Sequence, residues 1–211
     1  MSNFVYLKIL RAENLVSIFH NCVEDYHKLD DVNHQILNPF EKNSFEEILY
    51  RKCWIDTVQW HYEDVIRDDG IKPKEALILK RKIDHSNQKR TNLVEAIDDY
   101  FISKFKNIIL KKNATINTES PAWAIDRLSI LVLKIYHMAE ESSRITATKD
   151  HRKKCLQKLL ILNEQKSDLC MAIDQLMKDI SEGRKIMKAY RQMKMYNEED
   201  LNPILYKKNK D

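Results

Sequence analysis

The chain has 211 residues with only two glycines and four prolines, and its 36 basic and 32 acidic residues give a net charge of +4. So few turn residues exclude a protein of short strands joined by hairpins, and the near balance of charge does not indicate a nucleic-acid partner. No run approaches the roughly 18 apolar residues of a membrane-spanning helix. We therefore expect a helical protein without a membrane span.

The predicted fold class is all-α. Helical periodicity favours a single elongated bundle of about five to six long helices, mainly antiparallel, with a C-terminal basic amphipathic helix and arm. A chain of this length suits one domain, and no Ser/Gly-rich or Pro-rich linker divides it. We predict a single domain over residues 1–211, with a helical hairpin over 44–112 as its core, a heptad helix over 148–182 and an arm over 198–211.

The cysteines and the first residues bear on location. Cys22, Cys53, Cys155 and Cys170 are widely spaced and show no zinc-knuckle pattern. Free thiols in a reducing compartment are the better interpretation. The first residues, MSNFVYLKILRAEN, lack the apolar core and cleavage site of a secretory signal. We predict a cytoplasmic protein.

The first predicted helix covers Leu15 to Leu29, with apolar residues at three-and-four spacing on one face. His20, Glu24 and His27 fall on another face. Glu24 and His27 form one Glu-x-x-His, the pattern by which helices supply carboxylate-bridged di-metal sites. Such sites need the motif twice, and only one copy is present, so a solvated face is favoured. Whether Glu24 and His27 join a site stays open.

The second and third predicted helices form the hairpin. Ser44 and Glu47 make a capping box that opens the second helix, which runs to Asp68 and is apolar on more than one side. A central position follows from that distribution. After the turn, Pro73 suits the first position of a third helix, a long rod that ends before Asn113.

The remaining helices follow similar signals. Ser120 is a predicted cap and Pro121 the first residue of the fourth helix. From Thr148 to Ile180, apolar residues alternate at spacings of four and three, as in a coiled-coil seam. The segment from Arg184 to Lys194 is predicted to be a basic amphipathic helix. It either docks on the bundle with a solvated basic face or binds an acidic partner, and a protein partner or homo-oligomer contact through it or the heptad helix stays open.

Ionisable residues at inner positions of the hairpin suggest chemistry. In an antiparallel hairpin, residues equally far from the turn come level, which places His61 near Asp84. His61 and Asp64 fall on the inner side of the second helix, whereas the side of Gln59, Glu63 and Arg67 is expected to face outward. An imidazole beside carboxylates serves as a general base or a metal ligand. The catalytic candidates are His61, Asp64 and Asp84.

Basic, amide and aromatic residues around them suit a small anionic or phosphorylated ligand, since Arg offers two-point contact with phosphate. The ligand-binding candidates are Trp60, Lys80, Asn87, Arg90, Asp126, Arg127, Lys134 and His137. Carboxylates at positions 64, 84, 98 and 126 suit a hard divalent cation, although the pattern does not identify the metal. The alternative is that these charges form an internal salt-bridge network that fixes helix register.

Three blocks carry a resemblance to a known family: WHYED, IDHSNQKRTNLVEAIDD and NTESPAWAIDRLSILVLKIYHM. With these blocks the chain resembles a bacterial family of unknown function, the domain of unknown function numbered 4254, over nearly its whole length. The resemblance names relatives without naming a reaction. It implies a link to genes for envelope polysaccharide or lipopolysaccharide assembly, and hence a sugar-phosphate or nucleotide-sugar ligand.

Two functional hypotheses follow. The first is an inner polar cleft that binds an anionic, phosphorylated or nucleotide-sugar ligand, with a divalent cation as the cofactor, in a metal-assisted hydrolase or transferase linked to envelope glycan assembly. The second is a non-catalytic interaction or scaffold protein whose buried charges form a structural network. The sequence does not decide whether the protein is an enzyme.

Overall fold

The computed structural model describes residues 11–195 and 198–208, which form six helices and no strand. The all-α prediction is therefore confirmed for this part of the chain. The segment inspected for a signal lies almost wholly outside it, as do residues 209–211 of the predicted arm. The helices are α1 (Ala12–His27), α2 (Phe45–Val65), α3 (Pro73–Phe105), α4 (Pro121–Ser143), α5 (Lys149–Ser181) and α6 (Pro203–Lys208).

The apolar core lies where α1, α2 and α4 meet. Phe19 of α1, Leu49 and Tyr50 of α2, and Leu128 of α4 are completely buried in it, and α3 and α5 contribute further buried residues. The central position predicted for α2 is confirmed, because this helix packs on α1, α3 and α4.

The helices α2 and α3 run antiparallel. At one end the ring of Phe45 stacks on Tyr100 with centroids 4.1 Å apart. At the other, Gln59 Nε2 donates a hydrogen bond to Asn87 Oδ1 at 2.8 Å. This pairing fixes the register of the hairpin and therefore the residues that come level across it.

The predicted starts of α2, α3 and α4 hold, whereas α1 begins at Ala12, three residues before the predicted Leu15. Ser44 Oγ accepts the backbone N–H of Glu47 at 3.1 Å at the start of α2. The Glu47 carboxylate does not complete the capping box, since it pairs with Arg51 at 3.3 Å. Ser120 Oγ likewise caps α4, which begins at Pro121.

The segment 184–195 is not the helix that its amphipathic pattern predicts. Gly183 ends α5 with a φ of +71°, and the chain then pairs with the loop before α4. The Thr115 N–H donates to the Arg184 carbonyl at 3.0 Å, and the Ile186 N–H donates to the Thr115 carbonyl at 2.9 Å. These hydrogen bonds satisfy the Arg184 carbonyl and the Ile186 N–H in an extended conformation. Helical hydrogen bonds would satisfy no additional backbone group at these two residues.

The extended segment then crosses α3, where its basic residues meet acidic partners. Arg191 pairs with Asp99 at 2.6 Å and with Glu95 at 3.3 Å, and Lys194 Nζ donates to Thr91 Oγ1 at 2.8 Å. Two of the basic residues that we considered for an acidic partner, Arg191 and Lys194, thus contact α3 of the same chain.

Among the helices of residues 11–195 and 198–208, none is long and apolar enough to cross a bilayer.

Candidate metal centre and adjoining cleft

Three histidines from three helices converge at one end of the bundle. His27 is the last residue of α1, His61 lies in the last two turns of α2, and His137 lies in the C-terminal half of α4. One ring nitrogen from each falls within 4.8 Å of the other two, and all three side chains are half-buried. Within the described ranges, no other group of three or more His, Cys, Asp or Glu side chains comes this close together.

Hydrogen bonds fix which nitrogens remain free to bind a ligand. His27 Nδ1 lies 2.7 Å from the Val23 carbonyl, which can only accept, so Nδ1 carries the proton and Nε2 carries the lone pair. His137 Nδ1 lies 3.1 Å from Glu140 Oε2, and its buried Nε2 has no hydrogen-bond partner in the described protein. Metal-binding histidines are oriented by this kind of second contact, to a carbonyl or a carboxylate.

The spacing also suits a metal. His61 Nε2 and His27 Nε2 are 3.3 Å apart, and two nitrogens bound to one tetrahedral zinc ion at the usual bond lengths lie about 3.3 Å apart. Nitrogen ligands favour zinc and similar transition metals over the hard cations that oxygen ligands prefer. The oxygen-ligated cation expected from the sequence is not supported, because positions 64, 84, 98 and 126 do not gather.

An aromatic ring covers each imidazole. Tyr26 stacks on His61 with centroids 5.1 Å apart, Tyr136 on His27 at 4.4 Å, and Trp60 on His137 at 5.0 Å. Burial lowers the pKa of His61 and of His137. Both rings are thereby held in the neutral form that ligates metals.

Two carboxylates stand next to the histidines. Asp30 Oδ1 is 3.7 Å from His61 Nε2. Asp64 is exposed, and its negative charge partly offsets the lowering of the pKa of both His61 and His137. The Asp30 carboxylate is within reach of a water held at the His61 ring nitrogen and can accept a proton from it.

A cleft of about 290 Å³ adjoins the histidine cluster and shares Trp60 and Asp64 with it. It lies between α2, α3 and α4. The residues that line it are Asp56, Gln59, Trp60, Glu63, Asp64, Arg67, Arg90, Ile130 and Leu133.

A buried ion network forms the floor of this cleft. Lys52 is completely buried, with Nζ 2.5 Å from Asp56 Oδ2 and 2.8 Å from Asp126 Oδ1. Arg90 Nε contacts Asp126 at 3.1 Å and Asp56 at 3.3 Å, and Ser129 Oγ donates to Asp56 at 2.7 Å. Burial raises the pKa of the Asp56 carboxyl, an effect that the Lys52 ammonium opposes.

The predicted site residues thus separate into groups. His61, His137, Trp60 and Asp64 meet at the histidine cluster, and Arg90 and Asp126 meet in the buried network. Asn87 reaches the cleft wall only through its hydrogen bond to Gln59.

The other candidates lie apart from both places. Lys80 and Asp84 pair with each other along α3. Arg127 pairs with Glu119 at 3.2 Å on an exposed face, and Lys134 borders the groove between α4 and α5.

His61 does not meet Asp84, although the hairpin brings their positions nearly level. Gln59 faces Asn87 on α3, and a residue two positions further along a helix points about 200° away. His61 therefore faces α1 and α4. For the same reason the side of Gln59, Glu63 and Arg67, which we expected to face outward, lines the cleft.

Sequence reasoning underrated His27 and overlooked Lys52 and Asp56. The only signal for His27 was the Glu-x-x-His pattern, in which Glu24 turns out to be exposed and to contact His20 at 3.4 Å. Lys52 and Asp56 have the four-residue spacing of an ordinary surface pair, so their burial was not visible in the pattern.

Comparison with known families agrees with the resemblance noted from the sequence. A family model described as "Protein of unknown function (DUF4254)" matches residues 46–189. The chain belongs to this family. The matched range includes His61, His137 and the whole cleft, whereas His27 lies before it. No curated protein and no solved structure matches the chain.

Proposed function

We propose that this member of the DUF4254 family is a metal-dependent hydrolase that holds a zinc-like ion on His27, His61 and His137 and acts on a phosphorylated ligand. The observation that carries the proposal is the convergence of three imidazoles within 4.8 Å, two of them oriented through Nδ1. Three protein ligands leave a fourth position open, which is typical of catalytic rather than structural zinc sites.

The chemistry follows from the open position. A zinc ion bound by three imidazoles lowers the pKa of its bound water to about 7. We assign Asp64 as the group that would accept the proton of that water, because it lines the cleft and its charge acts on two of the histidines. The metal also polarises a phosphoryl oxygen and offsets the charge of the ligand. A sugar phosphate or nucleotide sugar linked to envelope glycan assembly is the ligand that the family resemblance implies, and the cytoplasm is the location that the free thiols suggest.

The second candidate function is a non-catalytic helical scaffold. The observation that favours it is the network of Lys52, Asp56, Arg90 and Asp126, in which two cations and two carboxylates pair with one another. This reading requires His27 and His61 to form a hydrogen-bonded pair without a metal. The two candidates therefore differ in what the histidines do.

Metal binding to untagged, chelator-treated protein tests the proposal. By isothermal titration with Zn²⁺ we expect one ion per chain. The variants His61→Ala and His137→Ala should each lose more affinity than the roughly 10- to 100-fold loss typical of changes to outer-shell partners. His20→Ala is the matched control, because His20 lies on the same helix as His27 but outside the cluster. Equal zinc affinity in the control and in the cluster variants would refute the metal centre.

Activity is tested separately with the zinc-loaded protein and a panel of sugar phosphates and nucleotide sugars. Asp64→Asn should reduce hydrolysis by at least about 100-fold, the usual contribution of a general base, while the bound zinc stays at one ion per chain. A zinc-loaded protein that hydrolyses nothing in the panel would confine the function to metal binding.

A further inference from the structure

Two oxygen atoms in the cleft accept no hydrogen bond from the described protein. They are Asp56 Oδ1 and Gln59 Oε1, both buried and both in side chains that line the cleft. The Asp56 side chain is only 3% exposed, and the cation beside its Oδ1 is Arg90, whose Nε at 3.3 Å forms an ion pair without a well-aligned hydrogen bond. Native proteins leave few buried acceptors unpartnered. Two in one cleft indicate a place built for hydrogen-bond donors.

The cations of the cleft are already engaged. Arg90 is held by Asp126 and Asp56, and Arg67 lies along Glu63, with its guanidinium 2.9 Å from the carboxylate. The charged lining consists of three carboxylates, at positions 56, 63 and 64, and these two arginines. No excess positive charge therefore remains to hold an anion in the cleft, whereas the sequence predicted a cleft that binds an anionic ligand.

Size and position make the cleft part of the same site as the histidines. Its volume of about 290 Å³ is large enough for a ligand group of the size of one sugar ring. Trp60 lines the cleft and stacks on His137 with centroids 5.0 Å apart. A ligand lying along Trp60 thus has one end in the cleft and the other beside the histidines.

We propose that the cleft recognises the donor-bearing end of the substrate, through hydroxyl or amine groups, while the metal binds the anionic end. This inference rests on the proposed function for the metal end alone. The cleft end depends on Asp56 Oδ1 and Gln59 Oε1 and holds for the metal-free protein as well. A substrate of this class carries a polyhydroxylated or amino-substituted ring next to its phosphoryl group.

Ligand-observed NMR on untagged, metal-free protein tests the cleft end with three probes: glucose, glucosamine and inorganic phosphate. We expect glucose, glucosamine or both to bind at millimolar concentrations and phosphate not to bind. Tighter binding of glucosamine assigns the donor as an amine, and equal binding assigns it as hydroxyl. If phosphate binds the metal-free protein as tightly as the sugars, or if neither sugar binds, the inference is wrong.

Variants separate this inference from the metal centre. Gln59→Met removes one acceptor and should weaken probe binding about five- to tenfold, the usual effect of one lost hydrogen bond. His27→Ala should abolish zinc binding and leave sugar binding unchanged, and Arg127→Gln is a surface control. If Gln59→Met unfolds at a lower temperature, the side-chain amide NMR signal of Gln59 in the unaltered protein is measured instead. The sugar probe should shift that signal. An unshifted signal overturns the inference.

Discussion

Lys52 and Asp56 stand four residues apart on α2 and form an ion pair whose two side chains are almost completely buried. Burying two charges costs several kcal/mol unless partners repay it. Here the partners are Asp126, Arg90 and Ser129. With them, the network contains two cations, Lys52 and Arg90, and two carboxylates, Asp56 and Asp126. The stability of the fold therefore depends on all members of the network being present together.

Replacing Lys52 by Met should lower the free energy of unfolding by about 3–5 kcal/mol, because the shape is retained while two buried carboxylates lose their shared cation. The matched control is Lys80→Met, which removes an exposed partner of Asp84 at the same four-residue spacing and should cost under about 1 kcal/mol. Urea unfolding followed by circular dichroism measures both. Equal effects in the two variants would mean that the buried network contributes no more than a surface pair.

Single residues could be selected from the sequence where a side chain was unusual for its helix face. His61 and Asp64 stood out because a plain bundle would have an apolar residue on that side. Lys52 did not, since a charged residue four positions before an aspartate is ordinary on a helix. A helix that is buried nearly all round hides such pairs, because burial depends on neighbours that are distant in the sequence.

The helices themselves were predictable to within a few residues at most ends. Ser44, Ser120 and Pro121 lie where capping chemistry requires them, and the seam of α5 is buried or half-buried along its length, from Cys155 to Ile180. The segment after Gly183 was not predictable, since an amphipathic pattern describes faces and not the competing backbone bonds offered by the loop at Thr115.

Gly183→Ala should destabilise the protein by more than about 2 kcal/mol. The glycine has a φ of +71°, and an added Cβ would come within 2.3 Å of the Ile109 carbonyl oxygen, so neither the conformation nor the space accepts a side chain. Gly70→Ala is the control, because φ there is not positive and the nearest atom is 3.3 Å away in the flexible side chain of Asp68. Thermal melting compares the two, and similar midpoints would contradict the strain argument.

The proposed metal would join three helices that are far apart in the chain. His27, His61 and His137 come from α1, α2 and α4, the helices whose apolar faces form the core. An ion bound by the three histidines would add a contact between α1, α2 and α4, which the core already holds together. It also binds only the folded chain, because the unfolded chain does not bring these residues together.

Zinc should therefore stabilise the whole molecule by mass action. At a free concentration 100 times the dissociation constant, the free energy of unfolding should rise by about 2.7 kcal/mol. Urea unfolding of chelator-treated protein at increasing free zinc measures this, and the midpoint should keep rising with the logarithm of the concentration. The double variant His61→Ala/His137→Ala should show a flat response, and His20→Ala should behave like the unaltered protein. If the midpoint rises with equal slope in the double variant, zinc stabilises the bundle at a place other than the three histidines. The proposed metal site that joins α1, α2 and α4 would then be wrong.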